Sequence, residues 1–364
     1  MNELERLGFR NLNKQIGLLP TGEKNCITDV DGVKVGHVTL HYPVNCPDEF
    51  ICTGVTAILP HGENIFKNKV VATSHVLNGF GKSTGLIQVN ELGLLESPIM
   101  LTNTFGVPAV TEGTLQYLLA QNEEIGETTG TINIVVGECN DSYLNSIRLL
   151  PIKPKHAIEA IEKATSDKVM QGAIGAGTGM VCFDYKGGIG TSSRIIEVEG
   201  MEKKFMIGAL VLSNFGIEDE LLHYNKHTNE KKLSKLQNDI NKDNDGSIMI
   251  VLATDLPLSD RQLNRIAKRA GIGLGRTGSH MGHGSGDIVI AFSTAKTFSH
   301  QTEDNFEEMT IIREDKEILN EAFKAAADTT EEAIMNSLTY AKTTKGRKNR
   351  TVKEVPYELF EDLS

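Results

Sequence analysis

The chain of 364 residues contains no tryptophan, and aromatic residues make up only 5% of it. No apolar run approaches the roughly 18 residues a membrane-spanning helix needs. The opening Met1-Asn2-Glu3-Leu4-Glu5-Arg6 also lacks the apolar segment of a secretory signal, so no membrane association and a cytoplasmic location are expected. Cysteine is scarce: Cys26, Cys46, Cys52, Cys139 and Cys182 form no C-x-x-C pair. Their odd number fits reduced thiols better than a disulfide framework and argues against structural zinc. Positive charge is in deficit. Thirty-seven Lys and Arg against 48 Asp and Glu give a net charge of -11, the wrong field for a nucleic-acid partner.

What is present is an ordinary globular composition, with 39% hydrophobic residues, enough for one large core or two modest ones. Glycine-punctuated apolar runs at 132–138, 205–213, 247–253 and 287–293 read as strands. After Ser259 a capping box with Gln262 opens a helix whose apolar face is Leu263, Ile266, Ala267 and Ala270, with Gly271 as its expected stop. A second helical stripe runs from Leu319 through Ala322, Phe323, Ala326, Thr330, Ala333, Ile334 and Ser337 to Leu338, and is expected to pack on the sheet. This mixture favours a layered α/β or α+β protein. Between 218 and 246 the chain is polar and reads as a surface excursion. It ends in Asp239 to Gly246, which fails as a calcium loop because its sixth position is Asn244 and its twelfth Ile250. His280 and His283 have no third ligand beside them, so no metal site is expected.

The segment most suggestive of chemistry is Gly282-His283-Gly284-Ser285-Gly286-Asp287, which leads straight into the apolar run from Ile288. Flanking glycines let backbone or substrate approach the Ser285 hydroxyl closely, as a nucleophile requires, although the same residues also make tight turns. No Ser-x-x-Lys pair or Ser-His-Asp arrangement identifies a base. Two other glycine-rich stretches, Gly172 to Gly179 and Lys186 to Thr191, match no Walker pattern and read as close backbone packing or substrate-lining loops.

Taken together, the ordered segments Ile27 to His37, Asn78 to Gly85, Leu101 to Thr104, Gly175 to Met180, Lys186 to Thr191, Ser213 to Gly216, Ala253 to Asp255 and Gly284 to Asp287 resemble the DmpA-type aminopeptidases from about Gly17 to Tyr340. That family includes L-aminopeptidase/D-esterases and β-peptidyl aminopeptidases. The resemblance implies an α+β fold, a four-layer α-β-β-α sandwich shared with ornithine acetyltransferases and akin to N-terminal-nucleophile hydrolases. It also implies one self-processing hydrolase domain spanning 1–364, cut between Gly284 and Ser285 into an α-chain (1–284) and a β-chain (285–364), with the processed αβ heterodimers assembled as a homo-oligomer.

The same resemblance assigns residues to roles. Ser285 is the nucleophile, and its new α-amino group, of ordinary pKa about 7.7–8.0, is the base. Asn214 matches the oxyanion-binding asparagine, and Glu138 the glutamate that holds the substrate's free amine. Asn140 stands where characterised members carry Tyr or Leu, leaving side-chain preference open. Thr329 and Glu331 match a Ser and a Glu placed beside the nucleophile, with Glu332 as an alternative acid; residues at i and i+2 share no face of a regular helix, so both reach Ser285 only from a helix start or irregular turn. The implied substrates are small peptides, amides or esters with a free amine, and the implied cofactor is none. Acyl transfer of the ornithine acetyltransferase type and a non-catalytic small-anion-binding protein are the alternatives, the former weakened because those enzymes use a threonine nucleophile.

Overall fold

The computed structural model describes residues 6–197, 199–200, 202–222 and 246–360. The polar excursion at 218–246 therefore lies mostly outside the described residues, as do positions 239–245 of the rejected calcium loop; the first part of the excursion forms a short 3-10 turn at Glu218–Glu220.

Two sheets organise the chain. The first contains β1 (Lys34–Pro43), β2 (Phe50–Leu59), β5 (Ile99–Asn103) and β6 (Val135–Cys139), in the order β1-β2-β5-β6. The second contains β3 (Asn68–Gly79), β4 (Leu94–Leu95), β9 (Gly188–Ile196), β10 (Phe205–Asn214), β11 (Ser247–Thr254) and β12 (Gly286–Ser299), in the order β4-β3-β12-β11-β10-β9. A hairpin of β7 (Val181–Cys182) and β8 (Tyr185–Lys186) leads into β9. The helices α2 (Val107–Leu119) and α3 (Pro154–Glu162) pack on the first sheet, while α1 (Leu86–Leu92) packs against β3 and β4. The helices α4 (Asp260–Ala267), α5 (Ala270–Thr277) and α6 (Glu317–Thr339) cover the second sheet. Helices, sheet, sheet and helices thus form an α+β sandwich.

Period-two alternation makes this stacking possible. Along β10, β11 and β12, Leu210, Leu212, Met249, Val251, Ile288 and Ile290 join the core shared with the first sheet. Their neighbours Ala209, Val211, Ile248, Ile250, Val289 and Ala291 join the core under the helices. Strands buried on both faces read as continuous apolar runs, which is why 205–213, 247–253 and 287–293 were legible. The run at 132–138 becomes β6 only from Val135, and β12 continues to Ser299 beyond its apolar half.

The capping box after Ser259 forms in both directions: Gln262 N donates to Ser259 Oγ and Ser259 N to Gln262 Oε1. Gly271 does not stop that helix. The helix α4 ends at Ala267, and Gly271 lies inside α5, which terminates at the left-handed Gly278. The small residues of α5 serve close packing: a Cβ on Gly273 would lie 2.3 Å from the Ala327 carbonyl oxygen of α6.

The long stripe forms α6, uninterrupted over 23 residues. It is anchored by a buried ion pair between Glu332 and Arg194 of β9 at 2.6 Å, both side chains fully buried, with Arg10 at 2.8 Å and Asn25 at 2.6 Å completing the carboxylate's partners. Removing the charge from one member of such a pair strands the other. Glu332→Gln is expected to destabilise the fold by about 3–5 kcal/mol in denaturant unfolding; a loss below about 1 kcal/mol would show that Arg194 is solvated or re-paired.

Candidate active site

The residues that carry the candidate chemistry gather where β10 ends and β11 and β12 begin. The register pairs Asn214 with Ser247 and Ser247 with Gly286, so Asn214 and the entrance to β12 lie in one row across three strands. At a strand spacing of about 4.8 Å they are roughly 10 Å apart. On the other side Gly286 pairs with Gly79 at the end of β3.

Ser285 is buried and sits immediately before this row. Its N–H donates to Gly282 O at 3.0 Å, closing a tight turn whose last peptide bond joins Gly284 to Ser285. Asn78 Nδ2 grips the turn, facing the carbonyl oxygens of Ser285 at 2.5 Å, Gly282 at 3.0 Å and His283 at 3.2 Å. Phe80 N donates to Ser285 O as well. A Cβ on Gly286 would lie 2.7 Å from the Phe80 carbonyl oxygen, so the glycine after the serine is required by the approach of a second backbone. Thus the Gly-Ser-Gly segment forms both a turn and a presented hydroxyl.

The Ser285 Oγ donates to Asp287 Oδ1 at 2.7 Å. Asp287 is fully buried, and burial pushes its carboxyl up to about 6 against the opposing effect of that hydrogen bond. Its second oxygen has no hydrogen-bond partner among the described residues. Neither Asp287 nor Asn78 was singled out in the sequence, although both stand within the quoted motifs. The only signal was position: an acid two residues after the serine, and an asparagine before Gly79.

Glu138, near the end of β6, is buried and faces the same region. Its Oε1 accepts from Lys82 N at 2.8 Å, and its Oε2 from the Thr104 hydroxyl. Gly81 separates it from the serine strand: a Cβ there would lie 3.5 Å from Glu138 Oε1 and 3.9 Å from Gly286 Cα. Asn214 is tied to the same strand end, its Nδ2 donating to Asn140 O at 3.0 Å while its Oδ1 accepts from Val181 N at 2.9 Å. Asn140 is exposed, and with Asn214, Tyr143, Tyr185, Phe215 and Ile217 it lines a cavity of about 700 Å³. Phe215 and Gly216 also wall a cleft of about 30 Å³ that reaches Ser285.

The structure does not bring Thr329 to this place. Its hydroxyl donates to Ala325 O and Ala326 O within α6, and its carbonyl accepts from Ser192, which pairs with Ala209 five residues before Asn214 on β10. Glu331 pairs with Arg276 of α5 at 3.3 Å. Because α6 is regular here, the two side chains cannot share a face. Glu332, the alternative acid, is held by Arg194 and Arg10.

The glycine stretches pack backbone to backbone. A Cβ on Gly188 would lie 2.0 Å from Gly172 O, and one on Gly177 2.5 Å from Ile189 N. Lys186, whose ammonium burial pulls down to about 8, spends its three protons on the carbonyls of Gly177, Met180 and Gly187. His280 contacts Glu220 and His283 lies against Phe80. The five cysteines are free, four of them buried, and no helix among the described residues is long and apolar enough to cross a membrane.

Residues 25–352 match the model of peptidase family S58. Over 351 residues the chain is 37% identical to the beta-peptidyl aminopeptidase BapA of Sphingosinicella microcystinivorans, covering 92% of this chain and 86% of that protein. Among solved structures, the PH0078 protein of Pyrococcus horikoshii OT3 superposes with a TM-score of 0.87 at 48% identity, covering 97% of both chains. The L-aminopeptidase D-Ala-esterase/amidase of Ochrobactrum anthropi, described as a prototype of the serine aminopeptidases and a variant of the Ntn-hydrolase fold, superposes with a TM-score of 0.83 at 34% identity, covering 96% of this chain and 95% of that one.

Proposed function

The chain belongs to peptidase family S58 and is a serine hydrolase of the aminopeptidase kind, and on that premise we propose that it cleaves itself between Gly284 and Ser285 and then releases N-terminal residues from small peptides, amides or esters. The observation that carries this reading is the presentation of Ser285: a buried, glycine-flanked hydroxyl on a clamped turn, at the strand row that also ends in Asn214. Cleavage gives the 1–284 and 285–364 chains and frees the Ser285 α-amino group, whose ordinary pKa of about 7.7–8.0 suits a base at neutral pH.

In the processed enzyme the Ser285 hydroxyl attacks the substrate carbonyl and passes its proton to that amine, which returns it to the leaving group. The Asn214 amide has two hydrogens; one is held by Asn140 O, and the other serves the oxyanion. Each Glu138 oxygen accepts one bond from a neutral donor, so lone pairs remain for a substrate ammonium. Asn140 contributes to the wall of the roughly 700 Å³ cavity that takes the side chain or leaving portion of the substrate. No step uses a metal or organic cofactor, and Thr329 and Glu331 are given no step. The proposal includes a cytoplasmic, homo-oligomeric enzyme of processed heterodimers. The serine at the nucleophile position favours hydrolysis over the acetyltransferase alternative.

Asn214→Ala is expected to lower kcat by on the order of 100- to 1000-fold with little change in KM, since the amide acts mainly on the developing oxyanion. Steady-state kinetics on an amino-acid p-nitroanilide check this, and near-normal turnover in a folded, processed variant would remove Asn214 from the role. Glu138→Gln should raise KM for free-amine substrates while reducing discrimination against their N-acetylated counterparts. Unchanged selectivity would move amine recognition to another group.

A further inference from the structure

Asn214 is held at both ends of its side-chain amide. Its Nδ2 donates to Asn140 O at 3.0 Å, and its Oδ1 accepts from Val181 N at 2.9 Å. Val181 N belongs to the peptide unit whose carbonyl is Met180 O, and that oxygen accepts from the Lys186 ammonium at 2.7 Å. A continuous series of hydrogen bonds therefore runs from a buried cation, through one peptide unit, to the amide of Asn214.

We propose that Lys186 is a positioning residue for substrate hydrolysis: its charge, carried through the Met180–Val181 peptide, fixes the Asn214 amide and strengthens the hydrogen bond that this amide gives to the oxyanion. The inference rests on the oxyanion role assigned to Asn214 above. Lys186 is fully buried, and its three ammonium protons go to Met180 O, to Gly177 O at 2.9 Å and to Gly187 O at 2.7 Å, with none left for a carboxylate. A buried ammonium without an ion-pair partner is costly, and neutral donors would satisfy three carbonyls at lower cost. What the lysine adds is charge. A cation on a carbonyl oxygen draws electrons from the amide nitrogen behind it and makes that N–H a stronger donor, and the next amide in the series responds in the same way. The Nδ2 hydrogen that Asn140 O leaves over is the end of this series.

The segments that the ammonium ties together are those that place Asn214. Gly177 and Met180 belong to the 3-10 turn Gly175–Gly179 and its C-terminal cap, and Gly187 leads into β9, whose Gly188 pairs with Ser213 beside Asn214. A Cβ on Gly187 would lie 2.8 Å from Ser213 O, so the entrance to β9 packs directly on the residue before Asn214. The ionisable groups around the ammonium are Cys52 of β2, Cys182 of β7 and Asp141 just after β6. Burial pushes both thiols up to about 12 and the Asp141 carboxyl up to about 7. Burial also brings the ammonium down to about 8, so its charge is present at neutral pH and is lost as the pH rises through that value.

The test is a double-mutant cycle on the purified enzyme, with kcat and KM measured on alanine p-nitroanilide near neutral pH and folding established by circular dichroism and thermal melting. Lys186→Gln removes the charge and keeps a hydrogen-bond donor. It should lower kcat by about 10- to 30-fold, a fraction of what the oxyanion amide itself supplies, with KM within about twofold. In the Asn214→Ala background the same change should lower kcat by less than about threefold, because no amide is left to act through. Losses that multiply in the double variant, or an effect of Lys186→Gln confined to KM, would overturn the role of Lys186 and leave Asn214 in place. Near-normal turnover of folded Asn214→Ala alone would overturn the oxyanion assignment and this inference with it. The wild type supplies an arm that needs no substitution: kcat on α- and β-alanine p-nitroanilides should fall at least about twofold between about pH 8 and 10, with the same midpoint on both. A kcat that stays level over that range, or a midpoint that moves with the basicity of the substrate amine, would overturn the role of Lys186 even if the variant failed to fold.

Discussion

Everything at the candidate site depends on where β12 lies in its sheet. It is an interior strand, antiparallel to β3 and parallel to β11, so its backbone is hydrogen-bonded along both edges. A residue at its entrance cannot drift, and Ser285 is pinned further by Asn78 and Phe80 through its carbonyl. Only the hydroxyl is left to point where chemistry needs it, and Asp287, fixed in the strand it precedes, sets its direction. The same placement would hold together a chain cut before Ser285. The 285–364 portion would carry both the interior strand β12 and the long helix α6, and withdrawing them would expose two apolar cores.

Three buried carboxylates show how partner choice separates structure from chemistry. Glu332 meets two guanidinium groups and an amide, so its charge is neutralised locally and it anchors α6 to β9. Among the described residues Glu138 accepts from a backbone N–H and a hydroxyl, neutral donors that orient it without cancelling its charge. Asp287 has a single hydroxyl, and burial raises its carboxyl toward neutrality. A buried acid without a cation is unfavourable in the resting protein. In the proposed mechanism, Glu138 is relieved by a substrate ammonium.

Much of this was legible in the sequence because the informative signals were local. The strands β10, β11 and the first half of β12 are buried on both faces, which writes an unbroken apolar run, and the Ser259–Gln262 cap is a four-residue pattern. The nucleophile candidate rested on adjacent glycines, and the family on the order of many short motifs. What escaped depends on contacts between distant positions. Asn78 meets Ser285 across 207 residues, and Glu332 meets Arg194 across 138. Gly271 was misread because a glycine that ends a helix and one inside a helix that packs closely on a neighbouring strand look alike in sequence; a Cβ on Gly271 would lie 2.9 Å from the Leu77 side chain of β3, a contact between distant positions. The pairing of Thr329 with Glu331 rested on a motif position, and the regular turn of α6 sends them to different neighbours.

The central claim is that Ser285 cuts the chain in front of itself and becomes the new N-terminus. Intact-mass spectrometry of the purified full-length protein under denaturing conditions, with N-terminal sequencing of each species, measures this directly. Self-cleavage at this bond predicts two chains in equal amounts, of 284 and 80 residues, the shorter beginning Ser285-Gly286-Asp287. A single active chain of 364 residues, or a fragment beginning anywhere other than Ser285, would contradict it.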